Sequence, residues 1–394
     1  MTRVAEITAY HVRIPLKRKI RHASHTRSDT DSIIVRCRLD DGIEGWGEGL
    51  PREYVTGETI ETAIEQLRAT DLSAQLGNPI ETVDDAIALC GAFQLVAPSE
   101  IARDCFGNSV RCAVELSILD AVTQTQGIPL SAIVERIPDT TDLRQPRRRV
   151  RYSAAITSMK PWKQTVMASA IRLHGFHQTK IKVGSTGIDD VASLRRSRRI
   201  VGQRMDIRID ANEAWACATL EEELSVLNPF TISAIEQPVP HAEVDGLSRI
   251  RPNLQVPIIL DESLCSVSDA THAIERGTCD IFNIRLSKCG GFLNSLRIAV
   301  IAHNENLAYQ LGCQVGETGI LSAAGRHFAS SIGNIRYLEG SYERHLVKER
   351  LTVEDLTFGR GGYAPALTRP GLGIAVDIAA LKRVTQSEHH WKIG

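Results

Sequence analysis

The chain has 394 residues, with 46 Lys and Arg against 47 Asp and Glu, so it has no bulk field to hold nucleic acid or an anionic membrane. A hydrophobic share of 43% supports a sizeable core in two domains, or one large domain with an appendage. No apolar run approaches the ~18 residues of a membrane span, and the opening MTRVAEITAY lacks the basic-then-apolar pattern of a secretory signal. Nine cysteines, an odd number without a C-x-x-C pair, sit partly inside apolar runs such as that around Cys37. They fit reduced thiols in a cytoplasmic protein better than a disulfide framework.

Residues 1–140 read as an α+β domain. Alternating runs VAEITAYHVRI and SIIVRCRL predict strands, and Asp41-Gly42 predicts a hairpin before IEGWGEG. The segment LKRKIRHASHTRSDT between the first two strands is expected to be a loop over the active face, rich in Arg21, His22, His25 and Arg27. PREYVTGET, with Arg52, Tyr54 and Thr56, is a candidate second specificity loop. Helical spacing begins near Thr59 and again before Val110, Ala113, Leu116, Leu119 and Ala121. The polar, basic stretch 139–151 marks the domain change.

From 141 to 340 short apolar runs recur at 152–156, 179–183, 206–210, 233–237, 257–262, 281–286, 308–313 and 335–339. Segments of helical periodicity separate them, which predicts βαβ units and a parallel sheet. Eight such units point to a closed α/β barrel of the (β/α)8 kind. An open doubly wound sheet is disfavoured because no Gly-rich phosphate turn follows the first strand. The tail, about 341–394, is expected to return to the first domain.

Ionisable residues keep step with the strands. Lys182, Asp210, Glu236, Asp261, Lys288 and Glu317 fall at or just after six successive strand ends, spaced 28, 26, 25, 27 and 29 residues apart. A parallel barrel gathers them on its C-terminal face, where barrel enzymes build active sites. Asp210, Glu236 and Asp261 come from the third, fourth and fifth strands, and three converging anions need a neutralising cation. Oxygen-only ligation suits Mg²⁺, with Mn²⁺ as the alternative. Lys180 and Lys182, two apart on a strand, share a face, and Lys288 arrives from nearly opposite. A lysine on either side of a tricarboxylate metal site suits abstraction of a proton α to a carboxylate, whose enediolate needs electrostatic stabilisation.

These motifs, TKIKVG, RIDANEAW, IEQPV, LDES, NIRLSKCGG and GCQVGETGI with DDGIEGWGEG and RCAVELSILDA in front, resemble the enolase superfamily and its muconate lactonizing enzyme-like branch. The resemblance spans nearly the whole chain and implies a modified (β/α)7β barrel with a capping domain. It implies Asp210, Glu236 and Asp261 as Mg²⁺ ligands and Lys182 and Lys288 as the acid/base pair. Lys180 would tune Lys182, while Asn212 and Glu262 orient the ligands and Lys288. Glu317, in ETGI, would contact substrate or orient a base. Glu339 is the single carboxylate on the eighth strand, where dipeptide epimerases of the branch have a D-x-D. Arg285 stands where relatives often have another lysine.

The expected activity is racemisation or epimerisation of an amino-acid derivative or related acid. Cycloisomerisation, dehydration, or a non-catalytic role on a retained barrel are the alternatives. The expected partners are a small-molecule carboxylate and further copies of the chain. The basic runs RQPRRRVR and RRSRR lack interleaved aromatics and read as linker and helix face rather than as a nucleic-acid surface.

Overall fold

The computed structural model describes residues 1–21, 26–97, 103–157 and 160–393. Strands β1 (Val4–Arg21), β2 (Thr26–Leu39) and β3 (Glu44–Gly49) form an antiparallel meander. Asp41 and Gly42 make the predicted turn, the Asp41 carboxylate accepting from the Ile43 N–H at 3.0 Å and Gly42 taking φ 90°. The β1–β2 ladder continues to Ile20↔Arg27 and Arg21↔Thr26. The segment expected as a loop is therefore largely strand, because a bridge from Leu16 to Val347 holds β1 extended beyond the sheet. His22 and His25 lie outside the described residues.

Helix Ile60–Ala69 starts at a Thr59–Thr62 capping box. Helix Asn108–Thr125 lies across the sheet and is buried through most of its length. Its approach explains the G-x-G-x-G of β3. A Cβ on Gly47 would stand 2.0 Å from the Ala113 carbonyl oxygen, and one on Gly49 1.9 Å from that of Ser109.

After the short strand β4 (Arg149–Arg151) come β5 (Ala154–Ile156), β6 (Gln178–Lys182), β7 (Asp206–Asp210) and β8 (Ile232–Glu236). β9 (Ile258–Leu260), β10 (Ile281–Ile284), β11 (Ala308–Leu311) and β12 (Ile335–Leu338) complete an eight-stranded parallel sheet in sequence order. The Ser153 N–H donates to the Leu338 carbonyl at 2.8 Å, joining the first strand to the last and closing the barrel. Helical segments follow the first seven strands, and directly after β12 comes the short four-residue helix Glu343–Leu346. β13 (Tyr363–Pro365) pairs with β4, and β14 (Thr385–Lys392) pairs antiparallel with β1.

Buried carboxylates dock the N-terminal sheet and its helices onto the barrel. Glu48 of β3 accepts from the Thr318 N–H at 3.0 Å, the Leu321 N–H at 3.0 Å and the Thr318 hydroxyl at 2.7 Å. Glu115 accepts from the N–H groups of Phe292 at 2.6 Å and Leu293 at 3.1 Å. Each thus satisfies orphan donors at the positive end of a barrel helix. Burial pushes both carboxyls up to about 7. The tail is tied down by His327, whose Nδ1 accepts from the Ser131 N–H at 3.3 Å while Nε2 faces the Leu372 carbonyl at 3.1 Å.

Gly47→Ala is expected to cost at least about 2 kcal/mol, because the helix backbone must move away; a urea midpoint unchanged from the parent would refute this packing. Burial lowers His327 from its ordinary 6.5 to about 4. The unfolded chain therefore takes up the proton first. The stability His327 contributes is complete above its unfolded value and is lost as pH falls toward 4, by up to about 3 kcal/mol. Urea titrations between pH 7 and 4 should show a steeper loss for the parent than for His327→Gln.

Candidate active site

The C-terminal ends of the barrel strands open into a cavity of about 160 Å³. Lys180, Lys182, Asp210, Asn212, Glu262, Arg285 and Glu339 form its floor and sides, and Arg18, Ile20, Tyr54 and Leu346 stand at its outer end. Strand alternation turns Lys180 and Lys182 of β6 inward together, as their spacing predicts. The Lys182 ammonium donates to the Asn212 side-chain oxygen at 2.5 Å.

Beneath the cavity the carboxylates are laced together by cations. Lys180 Nζ lies 3.3 Å from Asp210 Oδ2, 3.0 Å from Glu236 Oε1 and 2.9 Å from Glu339 Oε1. Burial disfavours its charge, but Glu236, Glu339 and Asp210 outweigh that and hold the ammonium well above the usual lysine range. Arg285 bonds the Asp261 carboxylate and comes within 3.6 Å of Glu236. Arg208, fully buried on β7, bonds Glu339 and packs over the Tyr337 ring. Asn283 and Gln310 donate to the two Glu236 oxygens at 3.1 and 3.0 Å. Burial pushes Glu236 up to about 7 against the pull of Lys180. For Glu339 burial acts in the same sense, but Lys180 and Arg208 prevail and hold it down at about 2.

The three carboxylates expected as metal ligands stand at the ends of the adjacent strands β7, β8 and β9, fully or almost fully buried and oxygen-only. This donor chemistry suits a hard divalent cation. As they stand they are spread among side-chain cations, and among the described residues no three acidic, His or Cys groups are arranged to hold a metal ion. Lys180 between Asp210 and Glu236, and Arg285 between Glu236 and Asp261, supply the positive charge this set requires.

The expected second lysine is placed differently from Lys182. Lys288 is fully buried, donating to the Asp261 carbonyl at 2.6 Å, to Asp261 Oδ1 at 3.0 Å and to the Asn283 carbonyl at 2.9 Å. It does not line the cavity; Arg285 does. Lys288 falls in the turn after β10, where strand alternation no longer sets side-chain direction. Glu262 accepts from Asn212 at 3.3 Å, linking it to Lys182. Glu317 accepts from the Gln314 N–H at 2.5 Å and lies outside the main cavity, its carboxyl pushed up to about 8 by burial.

Of the second candidate loop only Tyr54 reaches the cavity. Arg52 is buried, donating to the Asp31 and Val315 carbonyls and the Thr30 hydroxyl, and Thr56 is buried behind it. Backbone strain gathers at the strand ends. Asn212, Gln237 and Ser341 have φ of 44°, 37° and 56°, each within two residues of a site carboxylate. Gln237, Arg208, Asn283 and Gln310 went unread in the sequence, although inward-facing polar residues on barrel strands are themselves a signal.

The family description "Mandelate racemase / muconate lactonizing enzyme, N-terminal domain" matches residues 4–134, and "Enolase C-terminal domain-like" matches residues 164–380. A hydrophobic dipeptide epimerase of Enterococcus faecalis is 30% identical, over 84% of this chain and 88% of the relative. An L-Lys-D/L-Arg epimerase of Methylococcus capsulatus is 30% identical, over 94% and 99%. The crystal structure of N-succinyl Arg/Lys racemase from Bacillus cereus shares the fold with a TM-score of 0.86 at 24% identity, over 99% and 100% of the two chains. The chain belongs to the mandelate racemase/muconate lactonizing enzyme family of the enolase superfamily. The named relatives are epimerases and a racemase, and so isomerases.

Glu339→Ala would leave Lys180 and Arg208 short of a buried counter-charge. A loss of about 3–5 kcal/mol is expected in urea unfolding, with Glu339→Gln costing less; an unchanged midpoint would show that the lattice does not rely on this carboxylate.

Proposed function

We propose that the cavity binds a carboxylate substrate and that Lys182 removes the proton α to that carboxylate. The enediolate is then reprotonated to racemise or epimerise an amino-acid derivative. The observation that carries this reading is Lys182 itself: a lysine that among the described residues is held only by Asn212 and that faces a cavity lined also by the cations Lys180 and Arg285. The α-proton of a carboxylate is very weakly acidic, so fixed positive charge must meet the oxygens as their charge grows. Lys180 and Arg285 are placed to do that, and Asn212 holds the Lys182 amine on line. Mg²⁺, with Asp210, Glu236 and Asp261 as its ligands, would supply further Lewis-acid charge at those oxygens when bound. The reading includes a cytoplasmic setting and assembly with copies of the chain; among the described residues no helix is long and apolar enough to cross a membrane.

Inversion also needs a proton delivered on the face opposite Lys182. Lys288, proposed for that step, must leave Asp261 and the Asn283 carbonyl to reach it. Arg285 on that wall favours a second reading, cycloisomerisation or β-elimination. A guanidinium is not a base in proteins, and those reactions need proton transfer on one face only.

Incubation of N-acylamino acids and dipeptides in D₂O with Mg²⁺, followed by mass spectrometry, should show a one-dalton gain at the α-carbon. Lys182→Ala should reduce exchange by about 10²–10⁴-fold, and parental exchange would remove Lys182 from the mechanism. Lys288→Ala should stop interconversion of the two hands while leaving exchange into one; retained interconversion would exclude Lys288 from the pair. One-handed exchange by the parent itself would favour the second reading.

A further inference from the structure

We propose that Asn108, the first residue of the helix lying across the N-terminal sheet, is a positioning residue: it holds the turn that carries Lys288 and so governs proton delivery on the face opposite Lys182. This rests on the α-proton reading with two lysines and adds the part of the N-terminal domain on which the second lysine depends.

Lys288 follows β10 in a turn, so the alternation of a strand cannot aim it. Within the turn the Cys289 N–H donates to the Arg285 carbonyl at 2.9 Å and the Gly291 N–H to the Leu286 carbonyl at 2.8 Å. The N-terminal domain fixes it further. The buried Asn108 side-chain nitrogen donates to the Lys288 carbonyl at 2.8 Å and to the Cys265 carbonyl at 2.7 Å. An amide nitrogen carries two hydrogens, and both are used. One side chain thus ties the backbone of Lys288 to the loop after β9, which carries Asp261 and Glu262. On either side the Leu50 N–H donates to the Ser287 hydroxyl at 2.8 Å, and Glu115 accepts from the Phe292 N–H at 2.6 Å. The turn is also shaped to receive the amide. Gly290 has φ 82°, and a Cβ there would stand 2.7 Å from the Asn108 side-chain oxygen.

The Lys288 ammonium donates to the Asp261 carbonyl, Asp261 Oδ1 and the Asn283 carbonyl. To reach a substrate it must leave them by rotating its side chain, and that rotation starts from a backbone that Asn108 pins. In the proposed reaction the α C–H bond breaks as its proton passes to Lys182, and a new C–H bond forms with a proton from Lys288. Misplacing such a group by about 1 Å costs up to about 10²-fold in rate. Asn108 does not line the cavity and both its donors are engaged, so it acts on the reaction through the turn. Lys182 belongs to a different strand, β6, and is oriented by Asn212. Loss of the Asn108 amide should therefore impair one proton transfer and spare the other.

Incubation of the same N-acylamino acids and dipeptides in D₂O with Mg²⁺ tests this, by comparing formation of the opposite hand with deuterium entering the hand that Lys182 serves. Asn108→Ala should lower the first relative to the second by about 10–100-fold. Asn108→Asp, which keeps the shape and loses the donors, should lower it at least as far. Ser109→Ala is the control for a purely structural loss. It removes a hydroxyl that donates to the buried Glu58 at 2.5 Å from the same helix end, so it should lower the urea midpoint and leave the ratio at the parental value. Amide hydrogen exchange needs no substrate. It should show the Cys289 and Gly291 N–H groups exchanging roughly tenfold or more faster in Asn108→Ala, as loss of a fixing hydrogen bond implies. A parental ratio in Asn108→Ala, an equal fall in Ser109→Ala, or unchanged protection of the turn overturns the proposal. The two failures are distinct. Deuterium in both hands with an unchanged ratio removes the role of Asn108 alone, whereas no deuterium with the parent removes the α-proton reading and this role with it. Deuterium in one hand only with the parent removes the second lysine, and Asn108 then has nothing to position.

Discussion

Asp210, Glu236 and Asp261 stand at the C-terminal ends of neighbouring strands, where their mutual repulsion must be met by positive charge. At about 4 Å a unit pair is worth about 4 kcal/mol for an effective dielectric near 20, a large fraction of a domain's net stability. The chain meets it by sharing. Lys180 spans two of the carboxylates and reaches Glu339, Arg285 spans Glu236 and Asp261, and Lys288 holds Asp261 from behind. Asn283 and Gln310 then satisfy the remaining Glu236 lone pairs. Because so many partners are shared, moving one side chain changes the surroundings of several. Lys182 stands apart from this lattice, its ammonium donating to Asn212 at the cavity.

The N-terminal sheet contributes to the same site from the other side. Glu48 and Glu115 occupy the N-termini of two barrel helices, which fixes the sheet relative to the strand ends. Tyr54 and Arg18, from the N-terminal part of the chain, thereby stand at the cavity.

Much of this was legible in the sequence, for definite reasons. The eight barrel strands announced themselves because buried parallel strands are short β-branched runs at a regular period, and Asp210, Glu236 and Asp261 fell on that period. Lys180 and Lys182 were readable because alternation within β6 fixes their direction. Lys288 was not, since it lies past the strand in a turn and its ammonium is taken up by backbone carbonyls that no spacing reveals. Arg285, a residue to which the sequence lent little weight, has the place on the wall instead. The hairpin through Ile20 and Arg27 was misread as a loop because charged residues obscured its alternation, and its tether to Val347 is distant in sequence.

The pairing of β14 with β1 has a consequence for how the chain is made. On the ribosome all eight barrel strands emerge after β3 and before β14. Throughout that interval β1 presents an open edge of main-chain donors and acceptors, the kind of edge that templates unwanted association. The first domain to be translated is thus among the last to be completed, and the growing chain must keep that edge from finding another partner until the strand meant for it arrives.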